Sequence, residues 1–279
     1  DPRRYGKWAS GDYAIAKSID EYQQMYQPHL PGEYRDVGRP TRVTPLYETL
    51  KNAGAVYGDT FGWERAKWYA PAGVEEEYGF RRNNSFETVG EECRAVREAV
   101  GLTDLTSFAK YEVTGNGAQA LLERVCANRV PAKDGSVVLS QMLTLLGGIE
   151  SEATVTRVAE GHYYLLSGAV AELHDFDWLV QHIEPGEDVT VRNVTDDYGV
   201  LVLSGPKSRK VLSSLTDAGL TNDEGFTWMS AREISVADIA VRALRVSYVG
   251  ELGWELHCPM GRLADLHDAL MQAGKAQGI

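Results

Sequence analysis

The stretch RVSYVGELGWELHC, residues 245–258, decides how the rest of the sequence is interpreted. Residues alternate in character over Arg245–Tyr248 and again over Trp254–Cys258, with glycines between the two runs, which predicts a β-hairpin. Successive side chains of a strand point to opposite faces, so the apolar residues of the second run share one face. Glu255 and His257 share the other face. Glu255 is therefore expected to face either water or a polar ligand.

Strands and helices alternate from Lys110 onward, and one combination of them occurs twice. YEVTGNGAQALLERV (residues 111–125) and VLVLSGPKSRKVLSSL (residues 200–215) each read as a strand, a Ser/Thr-Gly pair and a helix. Gly115 and Gly205 occupy the same place in the two copies, 90 residues apart. A repeat at this distance predicts two related α+β layers, because a solenoid would have a shorter period. Chance similarity is the alternative, since strand–glycine–helix is a common succession.

Composition excludes several classes of protein. A chain of 279 residues with 43% hydrophobic and 24% charged residues is long enough for one large domain or two modest ones. The net charge of −12 argues against a nucleic-acid binder, which needs a basic face for phosphates. The sequence has no run of about 20 apolar residues, so no membrane span is predicted. The three cysteines have neither metal nor disulfide spacing, which predicts buried free thiols in a reducing compartment.

The first part of the chain has a different character from the rest. Residues 1–42 are rich in tyrosine, proline and charge, with a helix predicted around Asp12–Tyr26 and prolines after it. We interpret this segment as a connector, and residues 43–279 as the body of the fold. In that body we expect a helix at Leu46–Ala53, a polar loop over residues 72–86, and a helix over Thr88–Val100 that ends at a glycine.

Two short motifs are weak indications of chemistry. GNGAQA places Gly115, Gly117 and Ala120 in a GxGxxA pattern after a strand, but no acidic residue follows at the dinucleotide spacing, so we favour a plain strand-to-helix turn. His174 and Asp177 are three residues apart on a predicted helix and could share a metal. A third ligand is missing from the motif, so an ordinary helix surface is favoured there.

The segment GGIESEATVTR, residues 147–157, gives the second acidic strand face. Its alternation sets four residues on one face and the polar set Glu150, Glu152, Thr154 and Thr156 on the other. This face is either solvated or lines a cleft that binds a heterocycle rich in N–H donors, because a carboxylate accepts paired hydrogen bonds and steadies a nearby cation. No nucleophile–base arrangement is recognisable. The residues alone therefore predict an α+β fold with two acidic faces, around Glu152 and Glu255, and no reaction.

Long motifs carry a resemblance that goes further. TPLYETLKNAGAVYGDTFGWERAKWYAP, SFETVGEECRAVREAVGLTDLTSFAKYEVTGNGAQALLERVCANRVP, GGIESEATVTR, SGAVAELHDFDW and RVSYVGELGWELHCP closely resemble the dimethylglycine/sarcosine dehydrogenase family. The matching part is the C-terminal folate domain of that family, which is itself similar to the glycine-cleavage T protein, an aminomethyltransferase. DPRRYGKW at the start resembles the junction with the flavin-containing half. The resemblance covers essentially the whole chain.

The resemblance implies a two-stage enzyme with a T-protein-like α+β fold of repeated strand–helix units and antiparallel sheets. A preceding flavin domain, carrying FAD and joined in the same polypeptide, would oxidise an N-methyl group of dimethylglycine or sarcosine to an iminium. The present domain would transfer the one-carbon unit to tetrahydrofolate, giving 5,10-methylenetetrahydrofolate. The partners expected are thus the small-molecule iminium, folate and the flavin domain, with no nucleic acid and no membrane. The compartment expected is the cytoplasm, with the mitochondrial matrix as the alternative.

The resemblance also assigns site residues. Tyr248 and Glu255 match the pteridine-binding tyrosine and glutamate of the family, Glu152 matches the catalytic aspartate of T proteins, and Thr154 and Leu166 match pocket-lining positions. Glu255 would accept N–H bonds from the amino-pyrimidine edge, and Glu152 would orient the folate and stabilise the iminium charge.

Three departures from the family pattern bear on this site. Glu152 is one methylene longer than aspartate, and Leu139 stands where T proteins have a tyrosine. The arginine and aromatic folate contacts of the family are expected beyond Ile279, so we expect the fold and the pocket to be incomplete at the C-terminus. A free-standing aminomethyltransferase and a folate-binding module without transfer chemistry are the alternatives.

Overall fold

The structure, a computed structural model, describes Arg3, residues 8–220 and residues 224–279. The chain forms two compact units, Asp1–Arg94 and Ala95–Ile279. Each unit builds its own set of helices and strands.

The first unit begins with a capped helix, where one was predicted. The hydroxyl oxygen of Ser10 accepts a hydrogen bond from the backbone N–H of Tyr13, which satisfies one of the free donors at the helix start. The predicted connector, residues 1–42, and the body, residues 43–279, stay predictions, and most of the DPRRYGKW motif lies outside the described residues. The elements of this unit are α1 (Gly11–Gln23), α2 (Tyr47–Asn52), β1 (Ala55–Thr60), β2 (Trp63–Tyr69) and α3 (Phe86–Glu98), which contains the boundary to the second unit.

The strands β1 and β2 form an antiparallel hairpin that the sequence pattern did not predict. Its turn is made by Phe61 and Gly62, which both have positive φ (53° and 89°), as a two-residue hairpin turn requires. Trp63 and Trp68 are buried, so two aromatic side chains hold the hairpin in place. The polar loop predicted next is confirmed, because residues 70–85 form neither helix nor strand.

The second unit consists of ten strands and four helices among its described residues. The helix predicted to carry His174 and Asp177 is present, with a short 3-10 turn leading into it, and strands and helices alternate along the unit as predicted. The strands are β3 (Gly101–Asp104), β4 (Ala109–Thr114), β5 (Val137–Leu143), β6 (Ile149–Ala159), β7 (His162–Ser167), β8 (Thr190–Asn193), β9 (Tyr198–Ser204), β10 (Ser230–Val236), β11 (Ile239–Arg245) and β12 (Gly253–Pro259). The helices are α4 (Ala118–Val125), α5 (Glu172–Gln181), α6 (Ser208–Ser213) and α7 (Leu263–Gly274).

The strands form two antiparallel five-stranded sheets with matching topology. The first sheet has the order β5-β6-β7-β4-β8 and the second has the order β10-β11-β12-β9-β3. Strands of the two copies therefore occupy equivalent places, and the predicted internal repeat is confirmed. The edge strands are exchanged: β3 precedes β4 in the chain but pairs with β9, whereas β8 precedes β9 and pairs with β4. This exchange interlocks the two copies.

The two repeat glycines make the same strand-to-helix turn. Gly115 has φ 118° and Gly205 has φ 124°, conformations that a side chain would strain. A Cβ on Gly115 would lie 2.1 Å from the carbonyl oxygen of Asp188, and one on Gly205 would lie 2.6 Å from that of Ala99. Both positions therefore require glycine for conformation and for space.

Each sheet buries one face beneath helices. In the first sheet Val113, Val155 and Leu165 join a hydrophobic core with Leu121 and Leu122 of α4. In the second sheet the apolar side chains of β12 are fully buried, and α7 packs against β9 and β12. The α+β class with antiparallel sheets and repeated strand–helix units is thus confirmed.

The opposite faces of the two sheets meet each other. Val137 of β5 packs in one cluster with Ala231, Leu244 and Val246 from the second sheet and its following loop. Tyr164 of β7 and His257 of β12 are in direct contact across the same interface. The unit therefore has two sheets between outer helices, with mixed polar and apolar side chains in the middle.

The cysteines are free, as predicted, but they differ in burial. Cys258 is buried and Cys126 is partly buried, whereas Cys93 is exposed, contrary to the prediction. The reason is that Cys93 lies on α3, a helix with no buried residue. Over the described part of the chain, no helix is both long and apolar enough to cross a membrane.

Candidate functional site

A layer of polar side chains lies between the two sheets of the second unit. We call it the interior layer. On β6 the core-facing residues Ala153 and Val155 alternate with side chains that face the opposite way, toward the other sheet. The layer is defined here by Thr154, Thr156, Tyr164 and Leu166 from the first sheet and by Arg242, Glu255 and His257 from the second.

Thr154 and Leu166 are direct neighbours in this layer. The Cα of Thr154 pairs with Leu139 on β5 and with Leu166 on β7. The side chain of Leu166 is buried, and Leu139 is 42% exposed at the edge of the row. The hydroxyl oxygens of Thr154 and Thr156 are buried without a hydrogen-bond partner among the described residues. Leaving a buried hydroxyl without a hydrogen bond costs free energy. A polar ligand that bonded to these two threonines would therefore be stabilised there.

Glu255 also directs its carboxylate into the interior layer. Its side chain is 13% exposed, and Oε2 lies 3.5 Å from Nε2 of His257. Within the described part of the chain, Oε2 has no closer hydrogen-bond partner. An ionised carboxylate oxygen with unused acceptor capacity is a strong site for an N–H donor.

His257 is held from its other side by Tyr164. Nδ1 of His257 lies 3.0 Å from the hydroxyl oxygen of Tyr164, and the two rings meet edge-on with centroids 5.4 Å apart. Burial lowers the pKa of His257 below its usual range, and the cations of Lys110 and Arg242 lower it further, while Glu255 acts in the opposite direction. The imidazole is therefore neutral near pH 7.

Two cations border the same region. Arg242 places its guanidinium 4.6 Å from the ring centroid of Tyr164 and donates to Glu233 at 2.6 Å. Lys110, next to Leu166 in the strand register, is fully buried and donates to the carbonyl oxygens of Thr106 (2.7 Å) and Phe108 (2.8 Å). Backbone carbonyls thus stabilise the buried ammonium.

Glu152 lies on the same strand face as Thr154 but at the exposed end of it. Its Oε2 accepts a 2.7 Å hydrogen bond from the side-chain amide of Gln141, the directly opposing residue on β5. The structure therefore brings Glu152, Thr154 and Leu166 onto one face of one sheet and places Glu255 on the facing sheet. The catalytic role of Glu152 stays a prediction.

Tyr248 does not lie on a strand, contrary to the hairpin prediction. The first strand, β11, ends at Arg245, and residues 246–252 form an irregular connection. The side chain of Tyr248 is fully exposed. Gly250 in this connection has φ 80°, so the chain turns before it pairs again, which is why the alternation of the first run did not extend the strand. Glu251, in the same connection, forms a 2.8 Å ion pair with Arg97.

The side chain of His174, weighed in the sequence as a possible metal ligand together with Asp177, is used in other contacts. His174 instead bridges two other carboxylates, with Nδ1 3.0 Å from Asp175 and Nε2 2.8 Å from Glu150. These hydrogen bonds raise the pKa of His174 above its usual range. In the portion of the chain that the structure describes, no group of three or more potential ligands is arranged for a metal.

Sequence reasoning missed Tyr164, Arg242 and Lys110 as members or neighbours of this site. Their signal was available in part, because Tyr164 and Leu166 share a strand face and His257 shares one with Glu255. The internal repeat shows only that Tyr164 and His257 stand on equivalent strands of the two sheets. The second copy of this hairpin and helix follows the first by 91 residues (253 against 162 at the strand starts, 263 against 172 at the helix starts). This spacing maps Tyr164 onto Glu255 and Leu166 onto His257.

Known proteins match this chain over most of its length. The family model of the GCVT N-terminal domain matches residues 46–279. The chain belongs to this family. The GCVT domain thus includes both five-stranded sheets and the whole interior layer.

Relatives of this GCVT chain include two named dehydrogenases. Mitochondrial dimethylglycine dehydrogenase of Mus musculus is 40% identical over 283 residues, covering 100% of this chain and 32% of that protein. Mitochondrial sarcosine dehydrogenase of Homo sapiens is 30% identical over 303 residues, covering 94% of this chain and 33% of that protein. The predicted resemblance is confirmed, and the chain spans about a third of the length of these relatives.

A solved structure establishes the fold of the GCVT domain. The glycine cleavage system aminomethyltransferase T from Bartonella henselae is 26% identical and superposes with a TM-score of 0.67. The similarity covers 82% of this chain and 57% of that one. The T-protein-like fold predicted from the sequence motifs is therefore confirmed.

The residues of the GCVT domain fit a heterocycle with N–H donors better than a nucleotide phosphate. Among the described residues, Glu255 and Thr154 provide buried oxygens without hydrogen-bond partners, which is the acceptor set that an amino-pyrimidine edge needs. At the Gly115 turn, by contrast, the backbone N–H and side-chain amide of Asn116 donate to Oδ2 of Asp188 at 3.2 and 2.8 Å. A carboxylate at that turn opposes phosphate binding, in agreement with the plain-turn interpretation.

Proposed function

We propose that the chain is the folate-dependent one-carbon-transfer part of a dimethylglycine/sarcosine dehydrogenase-like enzyme. One observation carries the proposal: the carboxylate of Glu255 is directed into the layer between the sheets with a buried oxygen that has no hydrogen-bond partner among the described residues. Family membership and the kinship with named dehydrogenases support it.

In this proposal Glu255 and Thr154 recognise the pteridine. Glu255 accepts N–H bonds from the amino-pyrimidine edge, and the hydroxyl of Thr154 satisfies a polar atom of the ring. Leu166, paired with Thr154, gives the ring an apolar surface to pack on. Tyr248 covers the ligand from the exposed connection between β11 and β12, where its whole side chain is available for contact.

Glu152 is proposed as the catalytic carboxylate. Tetrahydrofolate, when bound, supplies the two nitrogen nucleophiles that take up the one-carbon unit of the iminium as 5,10-methylenetetrahydrofolate. The transfer releases the amine and one net proton. A carboxylate at Glu152, oriented by Gln141, stabilises the positive charge of the iminium and can accept that proton.

The proposed reaction also requires a flavin domain, which this chain does not include among its described elements. We propose that a flavin domain, holding FAD in the same polypeptide, produces the iminium from an N-methyl glycine substrate. The chain covers only a third of the two dehydrogenases it matches, which leaves room for such a domain in proteins of that length. Both relatives are named as mitochondrial, which favours the mitochondrial alternative over the cytoplasmic one.

The test is a calorimetric titration of the chain with tetrahydrofolate under reducing conditions. We expect wild-type binding, and a Kd about tenfold or more weaker in Glu255→Gln, because the amide brings an NH2 group where an acceptor is needed. Glu251→Gln is the matched control, since Glu251 belongs to the same motif but is ion-paired with Arg97, and it should change the Kd less than about threefold.

Two results would contradict parts of this proposal. A folded wild-type chain that does not bind tetrahydrofolate would exclude a folate site in it. Binding that is equally strong in Glu255→Gln would remove Glu255 from the site. The non-catalytic folate module would be favoured by preserved binding with no methylene transfer, and a free-standing aminomethyltransferase by transfer from an aminomethyl-lipoyl carrier.

A further inference from the structure

The Tyr164–His257 contact connects the first sheet to the carboxylate that we assign to folate. Tyr164 is fully buried in the middle of β7 and lies 3.0 Å from Nδ1 of His257. On the far side of the same ring, Nε2 lies 3.5 Å from Oε2 of Glu255. The imidazole thus stands between a phenol and a carboxylate that belong to different sheets.

The contact determines which ring nitrogen of His257 carries the proton. Burial keeps the Tyr164 hydroxyl protonated, because it raises its pKa well above the usual value. A buried O–H needs an acceptor, and Nδ1 of His257 is the one that the structure places at hydrogen-bond distance within the described residues. Nδ1 therefore accepts, so the proton of the neutral ring is on Nε2.

The groups around the ring favour this neutral tautomer. Glu255 faces it from β12, Arg242 from β11, Tyr164 from β7 and Lys110 from β4. The two cations oppose a third positive charge, whereas the Glu255 carboxylate is satisfied by a neutral N–H donor. The gap between Nε2 and Oε2 exceeds the upper limit of a normal hydrogen bond by about 0.3 Å, so a small rotation of the carboxylate closes it.

We propose that His257 is a positioning residue for Glu255: its Nε2–H is aimed at one lone pair of Oε2, so that the carboxylate presents Oε1 and the second lone pair of Oε2 to the ligand. The inference rests on the proposed folate site and adds a residue to it. Tyr164 acts one step further away, because its O–H selects the tautomer of His257. We call the hydrogen-bond chain from Tyr164 through His257 to Glu255 the relay. Without it the carboxylate of Glu255 is free to rotate, and ordering the carboxylate on binding costs part of the binding free energy.

Two substitutions at His257 separate positioning from packing. His257→Gln places an amide N–H near the Nε2 position. His257→Asn places its amide only near the Nδ1 position, where the carbonyl oxygen can accept the hydrogen bond from Tyr164 but no N–H reaches Glu255. We expect His257→Gln to bind tetrahydrofolate within about threefold of wild type and His257→Asn to bind about tenfold more weakly. Equal affinities for the two variants would overturn the inference, provided that both fold, as checked by circular dichroism.

A second measurement tests the relay without folate. Nitrogen-15 NMR of the histidine rings, with the His257 signals assigned by their loss in His257→Gln, should show the Nε2–H tautomer at pH 7. In Tyr164→Phe we expect a mixture of tautomers. An Nδ1–H ring in the wild-type protein would overturn the inference whatever the binding data show.

The two proposals can fail separately. If Glu255→Gln weakens folate binding while the two His257 variants behave alike, the folate site stands and only the positioning role is lost. If the folded wild-type protein binds no tetrahydrofolate, the folate site fails and the positioning role fails with it, even with the Nε2–H tautomer in place.

Discussion

The side-chain amide of Gln141 donates a 2.7 Å hydrogen bond to Oε2 of Glu152 from the directly opposing position on β5. The bond uses one oxygen of the carboxylate and leaves the other to interact with a ligand. Because both side chains are at the exposed end of the strand face that carries Thr154, a charge at Glu152 lies beside the proposed pteridine contacts and not among them.

This arrangement predicts that Glu152→Ala reduces transfer much more than binding. Binding depends on Glu255 and Thr154, whereas the negative charge of Glu152 matters mainly when the iminium reacts. We expect methylene transfer to tetrahydrofolate to fall about 10²–10³-fold and the Kd to change less than about threefold. Transfer is measured in the full-length enzyme and binding in this chain.

The matched control is Glu152→Gln, which keeps the size of the side chain and removes its charge. It should lose transfer nearly as strongly as the alanine variant, because the charge and not the packing is responsible. Equal losses of binding and transfer in Glu152→Ala would make Glu152 a simple ligand contact.

The backbone conformation of the two repeat glycines, Gly115 and Gly205, predicts that a side chain at either position strongly destabilises the protein. Alanine at Gly205 meets backbone atoms and must adopt a positive φ, so we expect Gly205→Ala to lower the free energy of unfolding by about 2–5 kcal/mol. Gly168→Ala is the control, since Gly168 has φ −65° and open space where a Cβ would lie, and it should change stability by less than about 0.5 kcal/mol. Urea denaturation measures both, and similar midpoints would contradict the prediction.

These glycines also explain why much of the fold could be predicted. A Ser/Thr-Gly pair between an alternating run and a helical run is local information, so the two strand-to-helix turns were visible in the sequence. The exchange of β3 and β8 between the sheets was not, because strand pairing across 76 to 103 residues of chain depends on tertiary packing rather than on local pattern. The β1–β2 hairpin was missed since its strand residues do not alternate strictly between apolar and polar.

The candidate site was predictable to a smaller extent. Motif resemblance indicated Glu152, Thr154, Leu166 and Glu255, and strand alternation predicted the shared face of Glu152 and Thr154 and the shared face of Glu255 and His257 that the structure has. Neither source could show that Tyr164 lies against His257, because that contact depends on how two sheets pack. The strand assignment of Tyr248 failed for a related reason: alternation does not reveal where a partner strand ends.

The burial of the cysteines predicts one reactive thiol in the native protein. Burial raises the pKa of Cys126 to about 11 and that of Cys258 to about 12, so their thiolates are scarce at pH 8. Cys93 is exposed on α3. We expect a thiol-specific disulfide reagent to modify one cysteine rapidly in native protein and three in urea, and Cys93→Ser to abolish the fast phase. A second fast thiol in Cys93→Ser would contradict the assignment.

The neutral state of His257 predicts that acid destabilises the protein in a specific pH window. Burial lowers the pKa of His257 in the folded state, while an unfolded histidine titrates near about 6.5. As the pH falls below about 6.5, the imidazole of His257 binds a proton in the unfolded state but stays neutral in the folded state. The stabilisation is therefore complete above this pH and is lost toward the lowered folded pKa, by at most about 1.4 kcal/mol per pH unit. Urea denaturation is measured at pH 7.5 and at pH 5.5, about one unit on either side of 6.5. The free energy of unfolding should fall less between these two pH values in His257→Gln than in wild type.

His174 provides the control for the sign of this effect. Its hydrogen bonds to Asp175 and Glu150 raise its folded pKa, so its stabilisation is complete below about 6.5 and is lost as the pH rises through the raised folded value. In wild type His174 therefore offsets part of the acid loss caused by His257. His174→Gln should lose more stability than wild type on acidification, and His257→Gln should lose less. Parallel pH profiles for wild type and both variants would show that neither ring changes its protonation on folding in this range.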